Sequence, residues 1–217
     1  MDNMVIDVKN VSKKFGSQEV LKNVSISCTV GQIYGLIGRN GSGKTVLLKC
    51  IIGLLKPESG EIIVKGKRIG KDIDFSDDIG FIIEQPGFLS SATCLTNLKH
   101  LASIKRRIGK NQIIEAISFV GLDPHSKKRV GKYSMGMQQR LGIAQAIMEN
   151  PDVLIFDEPM NGIDNNGVMD IRNMILDLKR DGKTVLLASH NREDIEILCD
   201  EVYEIDNGIL SHVTVSA

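Results

Sequence analysis

Hydrophobic and polar positions alternate along much of the first third of the chain. Between residues 23 and 30 the apolar side chains at every second position are Val24, Ile26, Cys28 and Val30. This period is typical of a β-strand with one buried face, and further runs at residues 5–11 and 61–65 predict two more strands. Residues 66–70 predict a turn into a short return strand. Because alternation leaves one face polar, we expect an antiparallel sheet with that face in water.

Three later segments are short and almost entirely apolar, at residues 33–37, 153–156 and 184–188. Strands that are buried on both faces have this composition, as in a parallel sheet flanked by helices. Residues 171–178 carry apolar side chains at i, i+3, i+4 and i+7, which is the spacing of an amphipathic helix. The tail at residues 201–213 predicts a hairpin through the sequence Asp-Asn-Gly.

The middle of the chain, about residues 86–148, has helical patterning. One apolar stripe there is expected to begin after Asn111 as N-cap and to stop at Gly121. The 217 residues therefore predict a single α/β domain. A parallel-sheet core that carries the antiparallel β piece takes up about residues 1–85 and 149–217, and the helical piece is inserted between them.

Composition narrows the class of function. The chain has 27 Lys+Arg and 27 Asp+Glu, a net charge of +0. It therefore lacks the positive excess of proteins that bind nucleic acid through phosphates, and no nucleic-acid partner is expected.

No apolar stretch reaches the roughly 20 residues that a membrane-spanning helix needs. The N-terminus lacks the pattern of a signal peptide, which favours a cytosolic location. The four cysteines are scattered without metal-ligand spacing, and we expect them to be reduced.

Residues 38–45 read Gly-Arg-Asn-Gly-Ser-Gly-Lys-Thr and match the phosphate-loop pattern G-x-x-x-x-G-K-[ST] in full. The motif follows an apolar strand and precedes a helix with an apolar stripe, which is the context that it requires. Glycines let several backbone N–H groups point at one anion, and the helix N-terminus adds partial positive charge. We expect Lys44 to reach the β- and γ-phosphates and the Thr45 hydroxyl to bind Mg²⁺. The predicted nucleotide-binding residues of this segment are Gly38, Asn40, Gly41, Ser42, Gly43, Lys44, Thr45 and Val46.

Asp157 and Glu158 follow the apolar strand at residues 153–156. In open α/β sheets, ligands bind at the carboxyl ends of the strands. We therefore expect Asp157 to hold Mg²⁺ and Glu158 to polarise the attacking water as general base. His190 follows another apolar strand in the same way, and its imidazole is expected to bond the γ-phosphate or the attacking water. The predicted catalytic residues are Lys44, Glu158 and His190.

Together these residues resemble the nucleotide-binding domain of ATP-binding cassette (ABC) transporters, in that family's order along nearly the whole chain. Phe15 falls at the family's aromatic that stacks on adenine, and Glu84-Gln85 falls at its Q-loop. The family's signature motif corresponds to Tyr133-Ser134-Met135-Gly136-Met137. Its D-loop corresponds to Asn161-Gly162-Ile163-Asp164, and its switch histidine to His190. The family's signature usually reads Leu-Ser-Gly-Gly-Gln. This chain departs from that signature at Tyr133, Met135 and Met137. It has the signature's residues at Ser134 and Gly136.

The resemblance implies a P-loop NTPase fold with a RecA-like parallel-sheet core, an antiparallel β subdomain and an inserted α-helical subdomain. It also implies ATP and Mg²⁺ as cofactors, hydrolysis of ATP, and a head-to-tail pair in which Ser134 and Gly136 of one subunit contact the ATP of the other. The second ATP-binding subunit is a copy of this chain or a paralogue. Either Glu84 or Gln85 has the Q-loop role near the metal: spacing favours Glu84, and Gln85 is adjacent.

Transport is the further implication of the resemblance. Because the sequence contains no membrane span, a separate transmembrane permease would supply the path and would hold this chain on the inner face of the cell membrane. Residues 79–98 and 133–140 look like the subgroup that exports, or gives immunity to, peptide antibiotics of the bacitracin and lantibiotic kind. Two alternatives stay open: a soluble ABC-type ATPase, and a nucleotide switch with little turnover, for which the altered signature leaves room.

Overall fold

The computed structural model describes residues 3–84 and 86–213. Its strands are β1 (Met4–Phe15), β2 (Gln18–Thr29), β3 (Ile33–Ile37), β4 (Ser59–Val64), β5 (Lys67–Arg68), β6 (Ile79–Ile82), β7 (Val153–Asp157), β8 (Thr184–Ala188), β9 (Glu201–Asp206) and β10 (Ile209–Val213). Its helices are α1 (Lys44–Ile52), α2 (Cys94–Lys105), α3 (Lys110–Phe119), α4 (Met135–Ile147), α5 (Asn165–Arg180) and α6 (Arg192–Leu198), with a 3₁₀ turn at Val130–Lys132. Among these helices, none has the length and apolar composition needed to cross a lipid bilayer.

The first sheet has four antiparallel strands in the order β2-β1-β4-β5. The alternation predicted for β2 is confirmed at Val24, Ile26 and Cys28, whose side chains are buried. The prediction was wrong for Val30, which is 52% exposed. β2 ends one residue earlier, and the chain then turns at Gly31 with a left-handed φ of +78°.

The second sheet has six strands in the order β10-β9-β3-β8-β7-β6. Strands β9, β3, β8, β7 and β6 are parallel to one another, and β10 closes the predicted tail hairpin with β9. Val153 and Ile155 of β7 pack toward α1 and the antiparallel sheet, whereas Leu154 and Phe156 pack toward α3, α4 and α5. The sheet therefore lies between two apolar layers, which explains why its central strands are mostly apolar. This architecture confirms the predicted α/β fold.

The range 86–148, which was expected to be helical, contains α2, α3 and α4. The proposal that a helical subdomain begins and ends at about residues 86 and 148 stays a prediction. The predicted start of α3 was wrong, because its N-cap is Gly109 and not Asn111. The Gln112 side chain accepts a hydrogen bond from the backbone N–H of Gly109 at 3.1 Å and supplies the cap. A long amide side chain at the third helical position can satisfy an N-terminal donor in this way.

The cysteines are free thiols, as expected. Cys28, Cys50 and Cys94 are buried, and Cys199 is partly buried. They pack as small apolar side chains in the two cores or at their edges.

Candidate nucleotide-binding site

The phosphate loop joins the end of β3 to the start of α1 and depends on glycine geometry. Gly38 has φ +152° and Gly43 has φ +116°, which L side chains rarely adopt. A Cβ atom at Gly38 would also lie 2.4 Å from the carbonyl oxygen of Ile205 on β9. The loop therefore keeps its curled backbone, with the N-terminus of α1 opening toward the site, only while these positions are glycine.

Lys44 is the first residue of α1 and is only 5% exposed. Its Nζ donates a hydrogen bond to the carbonyl oxygen of Gly38 at 2.7 Å and lies 3.6 Å from Oε1 of Glu158. The ammonium and the helix N-terminus both attract negative charge. Their juxtaposition makes this end of α1 a favourable place for a phosphate group.

Thr45 and Asp157 meet across the site although they are far apart in sequence. The Thr45 hydroxyl donates to Oδ2 of Asp157 at 2.6 Å. Asp157 is the last residue of β7 and is buried, and this burial raises the pKa of its carboxyl, while the hydrogen bond from Thr45 opposes the rise. The neighbouring charge of Glu158 raises the pKa further. Two carboxylates held this close favour the binding of a cation.

Glu158 and His190 form the other half of the site. The Glu158 backbone has a left-handed φ of +51°, and its N–H donates to the carbonyl oxygen of Ala188 at 2.9 Å. Oε2 of Glu158 lies 2.8 Å from Nδ1 of His190. The parallel pairing of β7 with β8 places the two residues side by side at the same sheet edge. A carboxylate with one oxygen held by an imidazole and the other turned toward Lys44 has the arrangement that a general base needs.

Three polar atoms at this edge are buried and make no hydrogen bond with the described residues: Ser42 Oγ, Asp157 Oδ1 and Glu158 Oε1. Buried polar atoms without a partner are uncommon in folded proteins. The hydroxyl can donate to a phosphate oxygen, and the carboxylate oxygens can accept from water bound to a cation or attacking phosphorus. The residues present therefore fit a nucleotide with its divalent cation.

A cavity of about 790 Å³ opens at these atoms. The predicted residues that line it are Asn40, Gly41, Gly43, Lys44, Thr45, Val46, Glu84, Asp157 and Glu158. Residues that line it without having been predicted as ligands are Val20, Arg39, Pro86, Met135, Gln138, Gln139, Asn161 and Gly162. Val20 is brought in by β2, which no local sequence pattern could indicate, whereas Asn161 and Gly162 belong to the D-loop motif.

Six of the predicted residues that the structure describes lie outside this lining: Phe15, Gly38, Ser42, Ser134, Gly136 and His190. Phe15 is 48% exposed, and Lys13 Nζ sits 5.4 Å from its ring centroid. Ser134 is the N-cap of α4, and its hydroxyl accepts from the N–H of Met137. His190 reaches the site through its contact with Glu158. The roles of these side chains toward a nucleotide stay predictions.

The Q-loop pair is only partly described. Glu84 has φ +60° and lines the cavity, and its Oε1 accepts from Nζ of Lys49 at 2.7 Å. Gln85 lies outside the described residues. The choice between these two residues as metal ligand therefore stays open.

The family signal covers the phosphate loop, Asp157 and Glu158. The sequence pattern of the ABC transporter family matches residues 21–161 of the chain, well over half of its length. The chain belongs to the ABC transporter family. It is an ABC transporter ATP-binding subunit and an ATPase, as the resemblance of its motifs predicted.

Relatives with similar sequences and structures support this assignment. The chain is 45% identical to the ABC transporter ATP-binding protein YybJ of Bacillus subtilis (strain 168), over 95% of this chain and 94% of that protein. It is 40% identical to the bacitracin transport ATP-binding protein BcrA of Bacillus licheniformis, over 95% of this chain and 68% of that protein. Among solved structures, the dimeric ATP-binding cassette MJ0796 in a post-hydrolysis state with ADP and Pi superposes with a TM-score of 0.85 at 25% identity, covering 98% of this chain and 99% of that chain.

Proposed function

We propose that this ABC ATPase hydrolyses ATP with Glu158 as general base and uses the reaction to drive a separate membrane permease. The observation that carries the catalytic assignment is the position of Glu158 between His190 and Lys44, with Oε1 buried and without a hydrogen bond to the described residues. In this arrangement Oε1 accepts a proton from the attacking water, while His190 holds Oε2 in place. Lys44 leaves the Gly38 carbonyl to bind the β- and γ-phosphates, as a lysine can by rotating its flexible stem.

Mg²⁺ would be held by the Thr45 hydroxyl and, through water, by Asp157, with Glu84 or Gln85 as a further ligand. The unpaired Oδ1 of Asp157 and the 2.6 Å contact between Thr45 and Asp157 support this set. When bound, the cation neutralises charge that develops on the β- and γ-phosphates. The remaining loop residues, from Gly38 to Val46, would cradle the phosphates with backbone N–H groups, and Phe15 would stack on adenine.

A second ATP-binding subunit completes the site in this proposal. Ser134 lies at the N-terminus of α4, where the backbone N–H groups of the first turn would contact the γ-phosphate bound by the partner. MJ0796, which shares this fold, is dimeric in its ADP-bound state. ATP would favour the closed pair because each nucleotide is then neutralised from two sides, and hydrolysis would release it.

The glutamate assignment is tested with Glu158→Gln, which keeps the size of the side chain and removes its basicity. We expect the variant to bind ATP, to release phosphate at a small fraction of the wild-type rate, and to accumulate as a dimer in size-exclusion chromatography with ATP and Mg²⁺. Glu196→Gln, an exposed position on α6, is the matched control and should hydrolyse normally. A wild-type rate in Glu158→Gln would exclude Glu158 as the base.

The finer proposal concerns transport. BcrA is a bacitracin transport protein by name, and its similarity along 95% of this chain supports peptide antibiotics as the exported or cleared substrate. The chain would then work at the cytoplasmic face of the membrane, attached through its permease. Co-expression with a candidate permease, a protein with several membrane spans, should yield a complex that survives detergent extraction and raises survival in bacitracin. No complex would favour a soluble ATPase, and a complex without protection would exclude bacitracin as substrate.

A further inference from the structure

We propose that Arg172 and Asp194, together with Ser189, are positioning residues for ATP hydrolysis that hold His190 against Glu158. The inference rests on the proposed function, because it assumes that these two residues act together in catalysis. None of the three lines the cavity, so their effect on the reaction is indirect.

Asp194 is the buried centre of this arrangement. It lies in the first turn of α6 and is only 2% exposed. Its Oδ1 accepts from Nε and Nη2 of Arg172 at 2.9 and 2.6 Å. Arg172 also contacts the exposed Glu193, at 3.2 Å. A buried carboxylate is costly unless it is paired and hydrogen-bonded, and the two hydrogen bonds from Arg172 offset that cost for Asp194.

The second oxygen of Asp194 is connected to the loop that carries His190. Oδ2 lies 3.4 Å from Oγ of Ser189, and the same Oγ accepts from the backbone N–H of Asn191 at 3.1 Å. The Ser189 backbone N–H donates to the carbonyl oxygen of Leu36 on β3 at 3.2 Å. The backbone is thus bonded on both sides of His190. The imidazole itself is half exposed, and its one hydrogen-bonding side chain among the described residues is Glu158.

The ion pair also joins the two segments that carry the catalytic side chains. Glu158 stands on the loop that leads into α5, and His190 stands on the loop that leads into α6. Arg172 belongs to α5 and Asp194 to α6, so their two hydrogen bonds, which converge on Oδ1, fix one helix against the other. The left-handed backbone of Glu158 is sparsely populated for a non-glycine residue and persists only when its surroundings determine it. Loosening the α5–α6 link would let the distance between Glu158 and His190 vary while leaving the phosphate loop intact.

The first test is Arg172→Lys, which keeps the positive charge and loses the planar guanidinium that donates two hydrogen bonds to Asp194. We expect kcat for ATP hydrolysis to fall by a factor of about 10 to 100, since a shift near 1 Å in catalytic geometry costs up to about 100-fold. KM for ATP should change by less than about twofold, because the phosphate loop is untouched. Arg180→Lys is the matched control: Arg180 lies on the same helix, exposed, and pairs with Asp177 at 2.6 Å. Its kcat should equal that of the wild type.

A double-mutant cycle with His190→Ala separates positioning from a general loss of stability. If Arg172 acts through His190, adding Arg172→Lys to His190→Ala should cause no further loss of kcat. Ser189→Ala, a smaller change, provides the same comparison if Arg172→Lys does not fold. Wild-type kcat in these variants, a rise in KM without a fall in kcat, or an equal loss in the His190→Ala background would overturn the inference. An inactive Glu158→Gln together with a fully active Arg172→Lys would refute only this inference, whereas an active Glu158→Gln would refute the proposed function.

Discussion

The contact between Thr45 and Asp157 offers a sharp test of the metal site. Thr45→Val replaces the hydroxyl by a methyl group of nearly the same shape and leaves Asp157 without the donor found for it among the described residues. Hydrogen bonds to charged groups contribute roughly 1.5–3 kcal/mol. We therefore expect the free energy of unfolding, measured by urea denaturation with EDTA, to fall by that amount. Thr45→Ser, which keeps the hydroxyl, should lose less than about 1 kcal/mol for its missing methyl group.

The same substitution should separate nucleotide binding from metal binding. ATP affinity in EDTA should be close to that of the wild type, because the backbone N–H groups of the phosphate loop are unchanged. The gain in affinity on adding Mg²⁺ should shrink by about 10- to 150-fold, the equivalent of the lost 1.5–3 kcal/mol. Isothermal titration with and without Mg²⁺ measures both quantities. A full Mg²⁺ effect in Thr45→Val, combined with wild-type stability, would refute the idea that this hydroxyl links Asp157 to a cation.

Two further predictions concern the ammonium of Lys44 and the buried thiols of Cys50 and Cys199. Lys44→Ala removes the ammonium from the start of α1 and should abolish ATP binding in equilibrium titration; unchanged affinity would contradict the assignment of the phosphate loop. Burial raises the pKa of the Cys50 thiol to about 11 and that of Cys199 to about 12, so these two thiols form almost no reactive thiolate at pH 8. Ellman's reagent at pH 8 should therefore modify Cys50 and Cys199 slowly in the native protein and rapidly in urea, and should react faster with these two native thiols as the pH rises toward 11. Rapid modification of the native protein at pH 8 would show that these thiols are accessible.

Much of the site could be predicted from sequence because its chemistry lies in contiguous stretches. The phosphate loop is one run of eight residues, and its backbone geometry follows from glycines at fixed spacing between a strand and a helix. Asp157 and His190 could be placed at strand ends because buried strands of this class are recognisable by their unbroken apolar composition. By contrast, the start of α3 was misplaced, because the cap came from Gln112 and not from the more common Asn.

Which side chains meet was decided by tertiary structure. Thr45 and Asp157 are 112 positions apart, and Glu158 and His190 are 32 apart. They come together because β8 pairs with β3 on one side and β7 on the other, an order that local patterns along the chain do not contain. Asp194 looks like an ordinary acidic residue at a helix start, and only the packing of α6 on α5 buries it against Arg172. Local sequence determines backbone shape and chemical type through short-range sterics and hydrogen bonding, whereas burial and pairing between distant residues arise only when the strands and helices pack.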